Sequence, residues 1–213
     1  MNIKRYGYIV IEGAIGTGKT SLARNIANRL SSNTLLEQPQ TNPFLQNFYS
    51  DIPRYALSAQ LYFLFQRIEQ LETIELQQET GQAIVSDFLF DKDRIFAEVT
   101  LSEAERELYQ KIRQRIKLTQ PIPDLLIYLQ ATPETLLKRI KQRGIPMEKG
   151  LSEDYLWRLT EHYLRFFHAY DQAPVMIINS EHLDFAHREA DLDLLLARIE
   201  QMRSAREYFN IDG

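Results

Sequence analysis

Along this chain, short continuous apolar runs alternate with longer segments of helical period. Five runs qualify as strands: Tyr6 to Glu12, Thr34 to Glu37, Ala83 to Asp87, Asp124 to Leu129 and Val175 to Asn179. Their apolar residues do not alternate with polar ones, as expected where helices cover both faces of a parallel sheet. Lys19 to Leu30, Arg54 to Glu79, Ser102 to Thr119, Pro133 to Gln142, Ser152 to Ala169 and Phe185 to Ser204 read as helices. The alternation predicts an α/β fold with a five-stranded parallel sheet flanked by helices. Punctuation supports these limits: Gly81 follows the second helix, Pro121 and Pro123 precede the fourth strand, and Thr132 with Pro133 makes an N-cap followed by proline at the first helical position. A loop from Gly144 to Gly150, with one proline and mixed charge, reads as a lid. No repeat, low-complexity tract or linker interrupts the chain, so residues 1–213 are expected to form one domain.

The helix from Arg54 to Glu79 carries YALSAQLYFLF and is apolar nearly all round in its first half. Such a helix is buried in a core or a helix interface. Gln60 and Gln66 lie inside it and therefore need hydrogen-bond partners.

Composition narrows the chemistry. With 213 residues the chain can bury a sizeable core, and with no cysteine it has no disulfide framework, thiolate nucleophile, zinc ribbon or iron–sulfur site. It has 25 Lys and Arg against 29 Asp and Glu, without a basic block, which argues against a nucleic-acid polymer as partner. Glu12 and the glycines break the N-terminal apolar run before a signal-peptide core forms, and no apolar stretch approaches the ~20 residues of a membrane span. A cytoplasmic protein with a small-molecule partner is expected. His162 and His168, and His182 and His187, are not spaced as the i, i+4 pair of a helical zinc site.

The segment Gly13-Ala14-Ile15-Gly16-Thr17-Gly18-Lys19-Thr20 matches G-x-x-x-x-G-K-[ST] and lies between a strand and a helix, where that motif must sit. Its glycines let backbone N–H groups curl around phosphate oxygens, and the following helix adds its positive dipole end. Lys19 would reach the β- and γ-phosphates, and the Thr20 hydroxyl would ligate Mg²⁺. Asp87, an acid ending a strand beside this loop, suits the same metal. Neither N-K-x-D nor D-x-x-G occurs, which disfavours a GTPase.

GAIGTGKT, then a Glu at the end of the second strand followed by NPFLQNFY, then YALSAQLYFLFQR, VSDFLFDKDRIFA and LLKRIKQRGIPMEKG: in this order the residues resemble the deoxynucleoside kinases, in particular the bacterial deoxyadenosine/deoxyguanosine branch. The resemblance runs from Ile9 to Phe167. It implies a P-loop kinase with an Arg-containing lid at about residues 139–151, which moves the γ-phosphoryl group of ATP to the 5′-hydroxyl of a deoxynucleoside with Mg²⁺ bound at Thr20 and Asp87. It also implies that Glu37 takes the hydroxyl proton, that Lys19, Arg139 and Arg143 offset the phosphoryl charge, and that Tyr55 and Glu148 hold the 3′-hydroxyl. Gln66 would read the base, Phe96 would stack on it, and Asp93 would contact its polar edge. Segment 180–185 falls where the family wraps the adenine of ATP. A homodimer and a leaning toward purines follow from the same likeness.

Each of these residues also has a plain structural alternative: Glu37 as a surface carboxylate, Tyr55 and Phe96 as core aromatics, Gln66 bonded to backbone, Glu148 as a solvated loop residue, Arg139 and Arg143 on a solvated helix face. The chain departs from the family at two cations. Phe88 stands where most members have Arg, and Ile145 where they often have a third lid Arg, leaving Lys92 or Arg94 to supply charge; Gln38 also separates Glu37 from Pro39. Two other functions fit the motifs. One is a thymidylate-like nucleoside monophosphate kinase, with Arg54 and Arg67 as candidate phosphate cations. The other is a nucleotide-binding partner protein with decayed catalysis.

Overall fold

The structure, a computed structural model, describes residues 2–79, 81–116 and 120–210. After a 3-10 turn at Asn2–Arg5 the chain runs through β1 (Tyr8–Gly13), α1 (Lys19–Leu30) and β2 (Asn33–Leu35). A short α2 (Leu45–Phe48) precedes the long α3 (Ile52–Glu79) and β3 (Ile84–Ser86). Then come α4 (Lys92–Thr100), α5 (Glu103–Arg115), β4 (Leu125–Gln130), α6 (Pro133–Arg143) and α7 (Glu153–Ala169). The described chain closes with β5 (Val175–Asn179), α8 (Glu189–Gln201) and β6 (Arg206–Phe209).

The strands form one parallel sheet in the order β2-β3-β1-β4-β5-β6. From β1 the chain builds first to one side and later to the other, so β1 is the point where strand order reverses. Open parallel sheets bind ligands at the carboxyl ends of strands at such a point. The strand pleat explains the unbroken apolar runs. Tyr8 and Val10, Leu126 and Tyr128, and Val175 and Ile177 face the layer containing α3, α4 and α7, whereas Ile9 and Ile11, Leu125 and Ile127, and Met176 and Ile178 face α1 and α8.

The sheet has six strands where five were expected. The sixth was hidden because Arg206–Phe209 is short, polar in part and at an edge, with Tyr208 exposed. The final helix is correspondingly shorter than Phe185 to Ser204. Asp184 accepts from the backbone N–H groups of Ala186 and His187, and Glu207 from those of Arg203 and Ser204, turning both ends out of the helix. The expected helix Ser102 to Thr119 is present as Glu103–Arg115, opened by a capping box between Ser102 and Glu105; residues 117–119 lie outside those described. The helix α4, absent from the expected elements, buries two charged residues, Lys92 and Asp93, within its nine residues.

At the end of β1, Glu12 is fully buried. Its Oε1 accepts from the Gly13 N–H at 2.9 Å and the Tyr163 hydroxyl at 3.0 Å, and its Oε2 from the Leu89 N–H at 2.7 Å. One carboxylate thus joins the start of the glycine loop, the exit from β3 and the middle of α7. Burial first, and then the neighbouring Glu12 charge, push the Tyr163 hydroxyl pKa well up, so it remains a donor. Replacing Tyr163 by Phe is expected to lower unfolding free energy by about 1–3 kcal/mol, because a buried carboxylate loses a donor. Urea denaturation at unchanged m value measures this, and an unaltered midpoint would contradict the joining role.

Candidate active site

Gly13 through Thr20 wrap the end of β1 and enter α1. At Gly13 a Cβ would sit 2.6 Å from the Leu129 carbonyl oxygen, so the loop approaches β4 too closely for any side chain. Gly16 adopts φ +89, and a Cβ there would also press on the Leu136 carbonyl of α6. The Lys19 ammonium closes the loop by donating to the Ala14 carbonyl at 3.1 Å. Desolvation and nearby Lys92 lower the Lys19 pKa, against the opposing pull of Glu12, Asp87 and Glu37. A polyanion bound here would favour the charged ammonium.

Asp87 follows β3 directly. Its Oδ2 accepts from the Thr20 hydroxyl at 2.5 Å and its Oδ1 from the Glu37 N–H at 2.8 Å. Hydroxyl and carboxylate are both hard oxygen donors, and Mg²⁺ in kinases takes only one or two protein oxygens beside phosphate oxygens and water. The pair therefore fits Mg²⁺.

Glu37 lies two residues beyond β2. Arg67 Nη2 donates to its Oε1 at 2.9 Å and Lys92 Nζ to its Oε2 at 2.8 Å. Burial alone would raise the Glu37 pKa. The Lys92 charge, then the Arg67 charge, outweigh burial and bring it down to about 2.

These groups line a cavity of about 270 Å³ between the glycine loop, α2, α3, α4 and α7. From α3 it receives Gln60, Phe63 and Arg67, spaced i, i+3, i+7 on one face. Phe96 forms part of its wall, packed edge-on against Tyr163 with centroids 6.2 Å apart. From the end of α6 and the 3-10 turn after it come Arg143 and Glu148, whose side chains pair at 2.6 Å. Gly150, in the same 3-10 turn, lies so close to α2 that a Cβ would meet the Tyr49 carbonyl oxygen at 2.8 Å. That approach brings Tyr49 and Glu148 to the same wall.

Outside the glycine loop, four expected residues do not line the cavity: Tyr55, Gln66, Asp93 and Arg139. In place of the first two, Tyr49 and Gln60, each six residues earlier and likewise eleven apart, line it. Six residues turn a helix by about 240°, so Gln66 faces another side of α3. There its amide donates to the Gln38 carbonyl at 3.3 Å and the Thr41 hydroxyl at 2.8 Å, holding the turn after Glu37. Gln60 is buried, with Nε2 3.4 Å from the Asp93 carbonyl oxygen. The missed signal was this first glutamine, already marked by the need for a partner, preceded at the same spacing by a tyrosine.

Asp93 is fully buried behind the cavity wall, bonded to the Tyr109 hydroxyl at 2.8 Å and facing Arg113 Nε at 3.1 Å. Arg139 turns away toward the loop after β5, where its Nη2 donates to the Ser180 carbonyl at 2.6 Å and the Leu183 carbonyl at 3.3 Å. Of the two cations considered in place of the missing arginines, Lys92 is in the cavity; Arg94 is half-exposed beside Asp91. Phe88 is fully buried and Ile145 forms apolar wall. Arg54 is exposed, over the Tyr55 ring.

Comparison with known proteins agrees with this architecture. The family model described as deoxynucleoside kinase matches residues 9–203. A deoxyguanosine kinase of Bacillus subtilis (strain 168) is 32% identical over 200 residues, covering 92% of this chain and 97% of that protein. A deoxyadenosine/deoxycytidine kinase of the same strain is 31% identical over 206 residues, covering 93% and 94%. A solved structure of deoxyadenosine kinase from M. mycoides with bound dATP superimposes with a TM-score of 0.78 at 26% identity, covering 91% of this chain and 98% of that one. The protein belongs to the deoxynucleoside kinase family.

Proposed function

We propose that this protein phosphorylates the 5′-hydroxyl of a deoxynucleoside, most readily a purine deoxynucleoside, with ATP as donor. The observation that carries this reading is Glu37, a carboxylate held by two cations in the same cavity as the glycine loop. Lys19 and the loop N–H groups bind the donor phosphates, Thr20 and Asp87 hold Mg²⁺, and Arg143 meets charge at the transferring group. Bound there, the metal would supply positive charge to the donor phosphates. Glu37 accepts the hydroxyl proton while Tyr49 and Glu148 orient the sugar. In a reaction with so little covalent work for the protein, such positioning supplies most of the catalysis.

Gln60 and Arg67 read the base. Among the described residues Arg67 has Nε and Nη1 buried without partners, and the Tyr155 hydroxyl on the same wall is likewise unsatisfied. Unspent donors suit a base edge with acceptors, such as the N7 of either purine and the O6 of guanine. Because Arg67 is engaged by Glu37, and Arg54 is exposed outside the cavity, an acceptor without a phosphate is favoured over a nucleoside monophosphate. The same reading takes residues 1–213 as one cytoplasmic kinase unit whose lid, about residues 139–151, closes on the donor. Exposed Phe65 on α3 and Leu108 on α5 support a homodimer.

The direct test is kcat/KM for the four deoxynucleosides and for dTMP with ATP and Mg²⁺. Transfer to a nucleoside, highest for a purine, is expected; transfer to dTMP alone, or ATP binding with no transfer, overturns the reading. Glu37→Ala is expected to lower kcat at least ~10²-fold while ATP still binds. Turnover that survives the change removes Glu37 from its role. Gln60→Ala should raise the nucleoside KM about tenfold, equivalent to ~1.4 kcal/mol, with Gln66→Ala within about threefold of the parent. The opposite ranking would restore the Gln66 assignment.

A further inference from the structure

Two buried cations hold one carboxylate, and only one of them is needed to neutralise it. Arg67 and Lys92 take opposite oxygens of Glu37, with side chains only 2% and 4% exposed. Burying an ammonium costs several kcal/mol unless strong contacts compensate, so a second cation here requires a reason beyond pairing Glu37. Around the cavity Lys19, Arg67, Lys92 and Arg143 face Glu37, Asp87 and Glu148, an excess of positive charge suited to a polyanion. The two Glu37 partners also differ in kind. Arg67 presents a planar fork from the middle of a long helix, whereas Lys92, at the first position of α4, carries a compact charge on a flexible four-carbon stem.

We propose that Lys92 is a catalytic residue: its ammonium moves from Glu37 to the transferring phosphoryl group and supplies the acceptor-side positive charge that Phe88 cannot. Phe88 is four residues earlier and fully buried, its backbone N–H donating to the Ser86 hydroxyl, and Arg94 is half-exposed and paired with Asp91. The inference rests on the nucleoside kinase reading and deepens it. As the nucleoside enters, Lys92 releases Glu37 Oε2, freeing that oxygen to take the 5′-hydroxyl proton. The bond from the 5′-oxygen to the γ-phosphorus forms, the bond to the β–γ bridging oxygen breaks, and ADP leaves with the electron pair. Lys92 stays an ammonium throughout and exchanges no proton. Charge at the transferring group is then met from the donor side by Lys19 and from the acceptor side by Lys92.

The test is steady-state kinetics of Lys92→Met and Lys92→Arg with the best nucleoside, beside calorimetric ATP and nucleoside binding. Lys92→Met keeps the Arg67–Glu37 pair, so it should fold. Its kcat is expected to fall ~10²-fold or more with both dissociation constants within about threefold, and Lys92→Arg should recover kcat to within about tenfold of the parent. If Lys92→Met does not fold, Lys92→Gln, which can still donate to Glu37, is held to the same thresholds. A neutral variant with kcat within threefold of the parent overturns the proposal, as does equal loss of binding and turnover, the mark of a structural lysine. An unaltered chain inactive on every deoxynucleoside overturns the kinase reading and this proposal together; an active one with an indifferent Lys92 overturns this proposal alone.

Discussion

Three carboxylates at the carboxyl edge of the sheet, Glu12 and Asp87 buried and Glu37 half-buried, govern the rest of the molecule. Glu12, Asp87 and Glu37 each follow or end a strand, and each finds its donors within the protein as water is excluded. Glu12 draws on Gly13, Leu89 and Tyr163; Asp87 on Thr20 and the Glu37 backbone; Glu37 on Arg67 and Lys92. Satisfying them brings the glycine loop, α3, α4 and α7 to one place. The same bonds that let the chain bury its charges also build the cavity.

That arrangement accounts for how an acidic protein can suit an anionic donor. The net charge of −4 is a property of the whole chain, while the cavity wall has more cations than carboxylates. Attraction at contact distance depends on local charge, since distant surface charges are screened by salt over about 10 Å. Charge pairing sets protonation as well. A Glu37 pKa of about 2 describes the carboxylate with both cations on it, and withdrawing either one makes the oxygen a better proton acceptor.

Side chains expected at the site that do not line the cavity make structural contacts around it. Gln66 ties α3 to the turn after Glu37, and Arg139 gathers the carbonyls of the loop after β5. Gln66 acts on a turn whose Pro39 and Gln40 line the cavity, whereas Arg139 acts on a loop outside it. Asp93 supports the wall from behind through Tyr109 and Arg113.

Local spacing alone determined the glycine loop, the flanking strand and helix, and the acids at the ends of β2 and β3, because each depends on residues close in sequence. Parallel strands with helices on both faces were equally legible, since unbroken apolar runs have few other ways to be covered. The edge strand β6 was not, as its pairing with β5 is long-range and its own residues are half polar. Nor could the sequence choose between Tyr55 with Gln66 and Tyr49 with Gln60. A helix apolar nearly all round has no preferred inner face in its own periodicity. Only packing against α2, α4 and α5 sets the rotation of α3, and with it which glutamine and which arginine meet the cavity.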